Sequence, residues 1–282
     1  GVVPPLGQHR LEPGIGKGLG MGRALPFAEL FDVALAAVRG FWAVRLDEAI
    51  VGLGQMGKGG AGRKAKQWQG EEGKTGDGAG LRVNIPQDLF RNFVARTGHI
   101  PAQADIGVGQ IFLPRVDLGA QDAARAIVED ELLKEGLFLY GWRQVPVDAT
   151  ALGDKANATR PEIEQILFYD PKARAREAIE RTLYIVRRRI EKRAGSSISG
   201  FYICSLSCDN VIYKGMFLAE AIDHFYPDLR DEQFVSRVAI FHQRYSTNTF
   251  PEWRLAQPFR IIAHNGEINT LKGNINWMKS HE

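Results

Sequence analysis

Glycine is spread so unevenly along this chain that only part of it reads as a packed domain. Of 31 glycines in 282 residues, 19 lie within residues 1–80. From Gly14 to Gly22 every second residue is glycine. Such a run loses much backbone entropy on ordering and offers few side chains to pack. Charge divides at about the same place. Residues 1–70 hold nine Lys/Arg against five Asp/Glu, a balance of +4, whereas the whole chain is +3 and residues 71–282 come to −1. The basic character therefore belongs to the head, and a near-neutral body argues against nucleic-acid binding. With 44% apolar and 24% charged residues, the chain excludes a wholly disordered protein, a collagen-like repeat and a coiled coil. The most apolar stretch, Phe31 to Val44, is interrupted by Asp32 and Arg39. No membrane-spanning helix and no secretory signal are expected.

Residues 1–72 form the head. Ala24 to Leu46 carries Phe31, Leu35, Val38 and Trp42 at helical spacing and reads as one helix weakened by Gly40. Residues 57–66 read as a basic flexible linker, with an anion-binding loop as the sharper alternative. Gly52, Gly54 and Gly57 fit the dinucleotide pattern G-x-G-x-x-G. That makes a nucleotide-binding head at 50–57 the third functional reading. The motif needs a helix next, and the Lys58-Gly-Gly-Ala-Gly62 that follows is a poor helix former. Gly73-Lys-Thr75 imitates the end of a phosphate-binding loop, but Trp68 stands where its first glycine belongs.

The body becomes regular after Gly73. Strands are expected at Leu81–Ile85, Gly107–Leu113, Leu137–Val147 and Ile163–Tyr169. Helices are expected at Asp88–Arg96, at Gln121–Lys134 and at Lys172–Arg193, the last with Ile179, Leu183, Val186 and Ile190 on one face. Its Arg187-Arg-Arg-Ile-Glu-Lys-Arg193 end reads as cations at a helix C-terminus plus a solvated face, with a nucleic-acid patch as the alternative. Phe201–Leu206 and Asn210–Gly215 read as a hairpin turning at Ser207–Asn210. Further strands follow at Val238–Tyr245 and Arg260–His264, then a terminal helix over Leu271–Lys279. Grouped strands with helices between the groups define an α+β layered domain.

Cys204 lies in an apolar strand and Cys208 at its turn, both read as structural. Two cysteines fit a reducing compartment and, with six scattered histidines, do not make a zinc site. The chemistry concentrates at residues 241–270. Arg244 at a strand end suits bidentate capture of a carboxylate. Asn265 beside the Gly266 backbone N–H suits an oxyanion hole. Together they suggest acyl transfer on an amino-acid-like anion.

Phe241-His-Gln-Arg-Tyr-Ser-Thr-Asn-Thr249, Leu255-Ala-Gln-Pro-Phe-Arg260 and Ala263-His-Asn-Gly-Glu-Ile-Asn-Thr270 resemble the glutaminase domain of the glutamate synthase large chain. So do Gly73-Lys-Thr-Gly-Asp-Gly-Ala-Gly80, Arg187–Arg193 and Phe201–Leu206. The resemblance implies a class II glutamine amidotransferase with the N-terminal-nucleophile α/β/β/α four-layer sandwich, here incomplete and preceded by the Gly-rich irregular head. Its reaction is attack of an N-terminal cysteine on the glutamine side-chain amide, giving a glutamyl thioester and ammonia. By motif, Arg244 binds the glutamine α-carboxylate, Asn265 and Gly266 form the oxyanion hole, and His264 and Glu267 shape that turn. The implied partners are L-glutamine, the remaining synthase domains, and a small electron-donor subunit or ferredoxin. No cofactor is expected in this segment, FMN and an iron–sulfur cluster being implied for the full-length enzyme. The implied setting is cytoplasmic ammonia assimilation, without nucleic acid or membrane.

The departures shape the rest of the expectation. The family's Cys-Gly-Val-Gly start is replaced by Gly1-Val-Val3, and no cysteine precedes Cys204. The family's His-Arg-Gly segment before Gly73 is missing, and the chain stops at Glu282 before the acidic residue that holds the glutamine α-amino group. The chain reads as a fragment, or as one whose head, residues 1–72, is replaced or mistranslated, followed by a partial amidotransferase domain at 73–282. It is expected to release no ammonia alone. The alternative is a catalytically silent glutamine-binding or structural module.

Overall fold

The computed structural model describes residues 25–26, 78–195, 197–242, 251–260, 275–276 and 278–280. In chain order the elements are β1 (Leu25–Pro26), β2 (Ala79–Asn84), α1 (Gln87–Arg96), β3 (Gly107–Leu113), α2 (Leu118–Lys134) and β4 (Phe138–Gln144). They continue with α3 (Asp154–Ala158), β5 (Glu162–Tyr169), α4 (Arg176–Ala194), β6 (Tyr202–Ser207), β7 (Asn210–Gly215), α5 (Ile222–Phe225), β8 (Val235–Ser236) and β9 (Ala239–His242). Two antiparallel sheets dominate, one of order β4-β5-β3-β6 and one of order β7-β2-β9, with a two-stranded pairing of β1 and β8.

Alternation explains the layers. β3 is buried along its whole length, so its two faces serve two cores. Ile111 and Leu113 join Ile166 and Phe168 against Ala124, Val128 and Leu132 of α2 and Ile179, Leu183, Val186 and Ile190 of α4. Val108 and Phe112 join Ile163, Leu167 and Cys204 against Leu81, Val83, Val211 and Tyr213 of the second sheet. Helices, sheet and sheet thus stack in order, the α+β layering expected from the sequence. Residues 275–276 and 278–280 are helical, which overlaps the expected terminal helix and passes its end by one residue.

Local chemistry sets the element ends. Asp117 accepts from the Ala120 N–H at 2.9 Å and starts α2 three residues before Gln121. Gly136, at φ +75°, closes the helix: its N–H reaches Leu133 O, and the Leu137 N–H reaches Leu132 O. α4 begins at Arg176 rather than Lys172 because Asp170 holds the Lys172 and Arg174 N–H groups at 3.1 and 3.0 Å in a turn.

Two expectations need correction. Ser207–Asn210 does not turn a hairpin: β6 pairs with β3, and β7 pairs with β2 in the other sheet. The chain arches from one sheet to the other. Side chains satisfy the arch in place of a ladder. Ser207 Oγ accepts from the Asp209 and Asn210 N–H groups at 2.9 and 3.1 Å, and Glu180 accepts from Ser207 Oγ and the Cys208 N–H. Nor does a helix begin at Ala24, because Leu25 and Pro26 pair antiparallel with Ser236 and Val235. The remainder of that expected helix, the dinucleotide-like glycines at 52–57 and Gly73–Thr75 lie outside the described residues.

Candidate functional site

Three of the blocks that carry the sequence resemblance meet at one end of the three-stranded sheet. β2 opens with Ala79 and Gly80, the end of the Gly73–Gly80 block, and β9 ends at His242, the start of the Phe241–Thr249 block. The antiparallel register sets Gly80 beside His242 and Leu81 beside Phe241. On its other side Gly80 pairs with Lys214 of β7. The third block, Leu255–Arg260, lies across this corner. A Cβ on Gly80 would stand 2.4 Å from Gln257 O and 2.6 Å from Lys214 Cβ, so only glycine admits the segment. A small apolar cleft opens beside it, lined by Ala79, Gly80, Ala219, Ile222, Phe241 and His242.

The segment 251–260 is seated firmly. Trp253 is buried, donates its indole N–H to Ala156 O at 3.1 Å, and packs edge-on against Phe112 and Phe217. Gly215 leaves room for it, since a Cβ there would lie 2.4 Å from the Trp253 ring. Lys214 then reaches across. Its Nζ donates to Arg254 O at 2.8 Å and lies 3.4 Å from Tyr202 Oη. The ammonium sits 4.6 Å from the Tyr202 ring centre and 4.9 Å from that of Phe259. Arg260 follows, donating to Tyr202 Oη and Ile203 O and lying 3.7 Å from Glu191. Burial holds the Lys214 ammonium well below its usual range, at about 8, with Arg260 adding to the depression and Cys204 opposing it.

A second polar group lies buried between the sheets. Arg143 makes a two-pronged pair with Asp228 at 2.8 and 2.6 Å and donates to Gln165 at 2.7 Å. Gln165 donates to Gln110 and Tyr213, and Tyr213 donates to Asp228 at 2.9 Å. Each member has a structural partner within the group, so it reads as a fixed interior network.

Both cysteines sit where a thiolate is unfavourable. Burial pushes the thiols of Cys204 and Cys208 up to about 12, and Glu180 and Asp170 add to the effect at Cys208. Neither has the microenvironment of a nucleophile. The two also fall short of the cysteine set that an iron–sulfur cluster needs. Among the described residues no group of three His, Cys, Asp or Glu is placed to hold a metal ion. Arg244, His264, Asn265, Gly266 and Glu267 lie outside the described residues.

The basic run of α4 is occupied rather than open. Arg187 and Arg188 pair with Glu191, Arg189 with Glu135, and Arg193 with Asp130 and Glu131. The Arg189 and Arg193 contacts tie α4 to α2 and its C-terminal end, whereas the Arg187 and Arg188 pairs stay within α4. Sequence reasoning passed over Lys214, Tyr202, Phe259 and Arg260 as site residues. The available signal was a lysine set among Val211, Ile212 and Tyr213 in an otherwise apolar strand.

Two packed antiparallel sheets, with these glycine-lined blocks at one corner, define a glutamine amidotransferase domain of the N-terminal-nucleophile sandwich type. The family description "Glutamine amidotransferases class-II" matches residues 48–282, and the chain belongs to that family. The match begins inside the Gly-rich head. The relatives are glutamate synthases. The chain is 60% identical over 212 residues to the glutamate synthase [NADPH] large chain of Azospirillum brasilense, covering 75% of this chain and 14% of that one. It is 44% identical over 216 residues to the chloroplastic ferredoxin-dependent glutamate synthase of Spinacia oleracea, covering 76% and 13%. The Bacillus subtilis glutamate synthase [NADPH] large chain is 40% identical over 219 residues, covering 76% and 14%. The chain thus spans about a seventh of the length of these relatives. Among the described residues no helix is long and apolar enough to cross a membrane.

Proposed function

We propose that this chain is the glutamine-binding part of a glutamate synthase, the segment that supplies ammonia for glutamate formation from 2-oxoglutarate. One observation carries the reading: Gly80, His242 and Gln257, from three separate family blocks, converge at one corner of the sheet. Arg244 follows His242 by two residues and binds the glutamine α-carboxylate as a bidentate fork. Asn265 and the Gly266 N–H receive the oxyanion that forms when the side-chain amide is attacked. His264 and Glu267 shape that turn. Attack by a thiolate on the amide carbon would form a thioester and release the amide nitrogen as ammonia. Neither thiol of this sequence suits that attack, both being pushed up to about 12 by burial. The 282-residue polypeptide therefore binds glutamine without hydrolysing it.

The boundary near residue 73 is one of composition: the family match reaches back to residue 48, and Leu25–Pro26 pair with β8 of the body. FMN, the iron–sulfur cluster and the electron donor, a small subunit or ferredoxin, belong to other parts of the synthase. Two free thiols, Cys204 buried and Cys208 half-buried, support a reducing compartment, the cytoplasm. Calorimetric titration of the chain with L-glutamine, alongside an ammonia assay, tests the reading. Saturable binding with ammonia at the blank level is expected. Absence of binding sinks the glutamine assignment, and ammonia release above blank sinks the assignment of silence.

A further inference from the structure

We propose that Lys214 is a positioning residue for the glutamine site: it clamps the strap 251–260 onto the sheet corner and so fixes where the flanking Arg244 and Asn265 segments leave it. This rests on the glutamine assignment above. In sequence the strap lies between the two motifs assigned to the substrate, seven residues after Arg244 at its start and five before Asn265 at its end.

The clamp is built from three contacts made by one amine. Nζ donates to the Arg254 carbonyl, and the ammonium sits between the rings of Tyr202 on β6 and Phe259 at the far end of the strap. One cation thereby joins β7, β6 and both ends of the 254–259 segment. Lys214 is 1% exposed, and among the described residues no carboxylate pairs with it. A fold that needed only to fill this space would use an apolar side chain, because taking an ammonium out of water opposes folding even where a carbonyl and two rings compensate part of the cost. A residue retained against stability is where a functional demand is expected to lie. Glycines complete the arrangement: Gly80 and Gly215, on either side of the clamp, admit the Gln257 carbonyl and the Trp253 ring at distances that any Cβ would close.

The test uses the full 282-residue chain and two variants, Lys214→Met, which keeps the stem and removes the donors, and Phe259→Leu, which removes only the ring. Hydrogen exchange over 251–260, glutamine affinity and the melting temperature are measured on each. In Lys214→Met the strap should lose protection by roughly tenfold or more, and glutamine affinity should fall by about the same factor, the scale of one charge-assisted contact. The melting temperature should hold or rise. A merely structural lysine would instead lower stability and affinity together. Phe259→Leu should shift protection and affinity in the same direction by less. Unchanged protection over 251–260 in Lys214→Met overturns the clamp. Loosened exchange with unchanged affinity overturns the positioning role while leaving the glutamine assignment standing. A wild-type chain that binds no glutamine overturns that assignment, and the positioning role with it.

Discussion

At the residue scale, Lys214 shows how burial sets a charge at odds with stability. Its amine, ordinarily near 10.5, is held at about 8 by desolvation. The unfolded chain keeps its proton across the interval between these values and the folded chain gives it up. The unfolded state therefore binds more protons, and stability rises with pH through this window. The neighbours that titrate or carry charge are Tyr202 and Cys204 on β6, Arg260 on the strap, and Glu191 behind Arg260. Cys204 and Cys208 act in the opposite sense as pH passes through about 9, because their thiols ionise on unfolding but stay protonated to about 12 in the fold. Both thiols are present in wild type and in Lys214→Met, so the difference between the two proteins isolates the lysine from pH 8 to 9. Urea unfolding across that unit should show the wild type gaining about 1 kcal/mol relative to Lys214→Met. Parallel curves for the two proteins would remove the buried charge from the account.

At the element scale, periodicity made the helices and most strands legible. Ile179, Leu183, Val186 and Ile190 predicted the buried face of α4, and all four lie in the core. The full burial of β3 likewise follows from an unbroken run of small and apolar residues. Pairing was not legible. β6 and β7 are near-continuous buried runs joined by a short polar turn, a pattern that a hairpin and an arch share. What separates the two is Glu180, one turn of α4 away from any local signal, which accepts from Ser207 Oγ and the Cys208 N–H at 2.9 and 2.7 Å. Burial raises the Glu180 carboxyl above its ordinary range against those hydrogen bonds. Its share of stability is thus whole below the unfolded value and declines as pH rises through the folded one. Glu180→Gln, which keeps an acceptor and removes the charge, should unfold in urea at pH 7 within about 1 kcal/mol of wild type. Glu180→Ala leaves the Cys208 N–H without its acceptor and should lose about 1–3 kcal/mol. Equal losses in the two variants would show that the arch does not depend on the hydrogen bonds.

At the scale of the whole molecule, the site is a meeting of segments that sequence order keeps far apart. Gly80 lies at the start of β2, Lys214 near the end of β7 and Gln257 in the strap, yet a Cβ on Gly80 would meet the last two at 2.6 and 2.4 Å. The resemblance identified the blocks of Gly80 and Gln257 as belonging together, and left β7 with Lys214 out. It carried no information about which atom of one block closes on which of another, because that is decided by sheet register. Gly80 is therefore the point at which the convergence can be broken with one methyl. The contact with Gln257 is to backbone, and β7 is held by its own ladder to β2, so neither neighbour yields by a rotamer change. Gly80→Ala should cost about 1–3 kcal/mol through overpacking and free the strap, read as faster hydrogen exchange over 251–260 and weaker glutamine binding. Gly119 supplies the contrast. It lies in the first turn of α2, where a Cβ would sit 3.5 Å from Asp117 Oδ1 at ordinary contact distance. Gly119→Ala should gain about 0.5–1 kcal/mol from the helix preference alone, with the strap and the glutamine affinity unmoved. If both substitutions behaved alike, the corner would have slack to absorb a methyl, and the close approach at Gly80 would not be what locks the three blocks into one site.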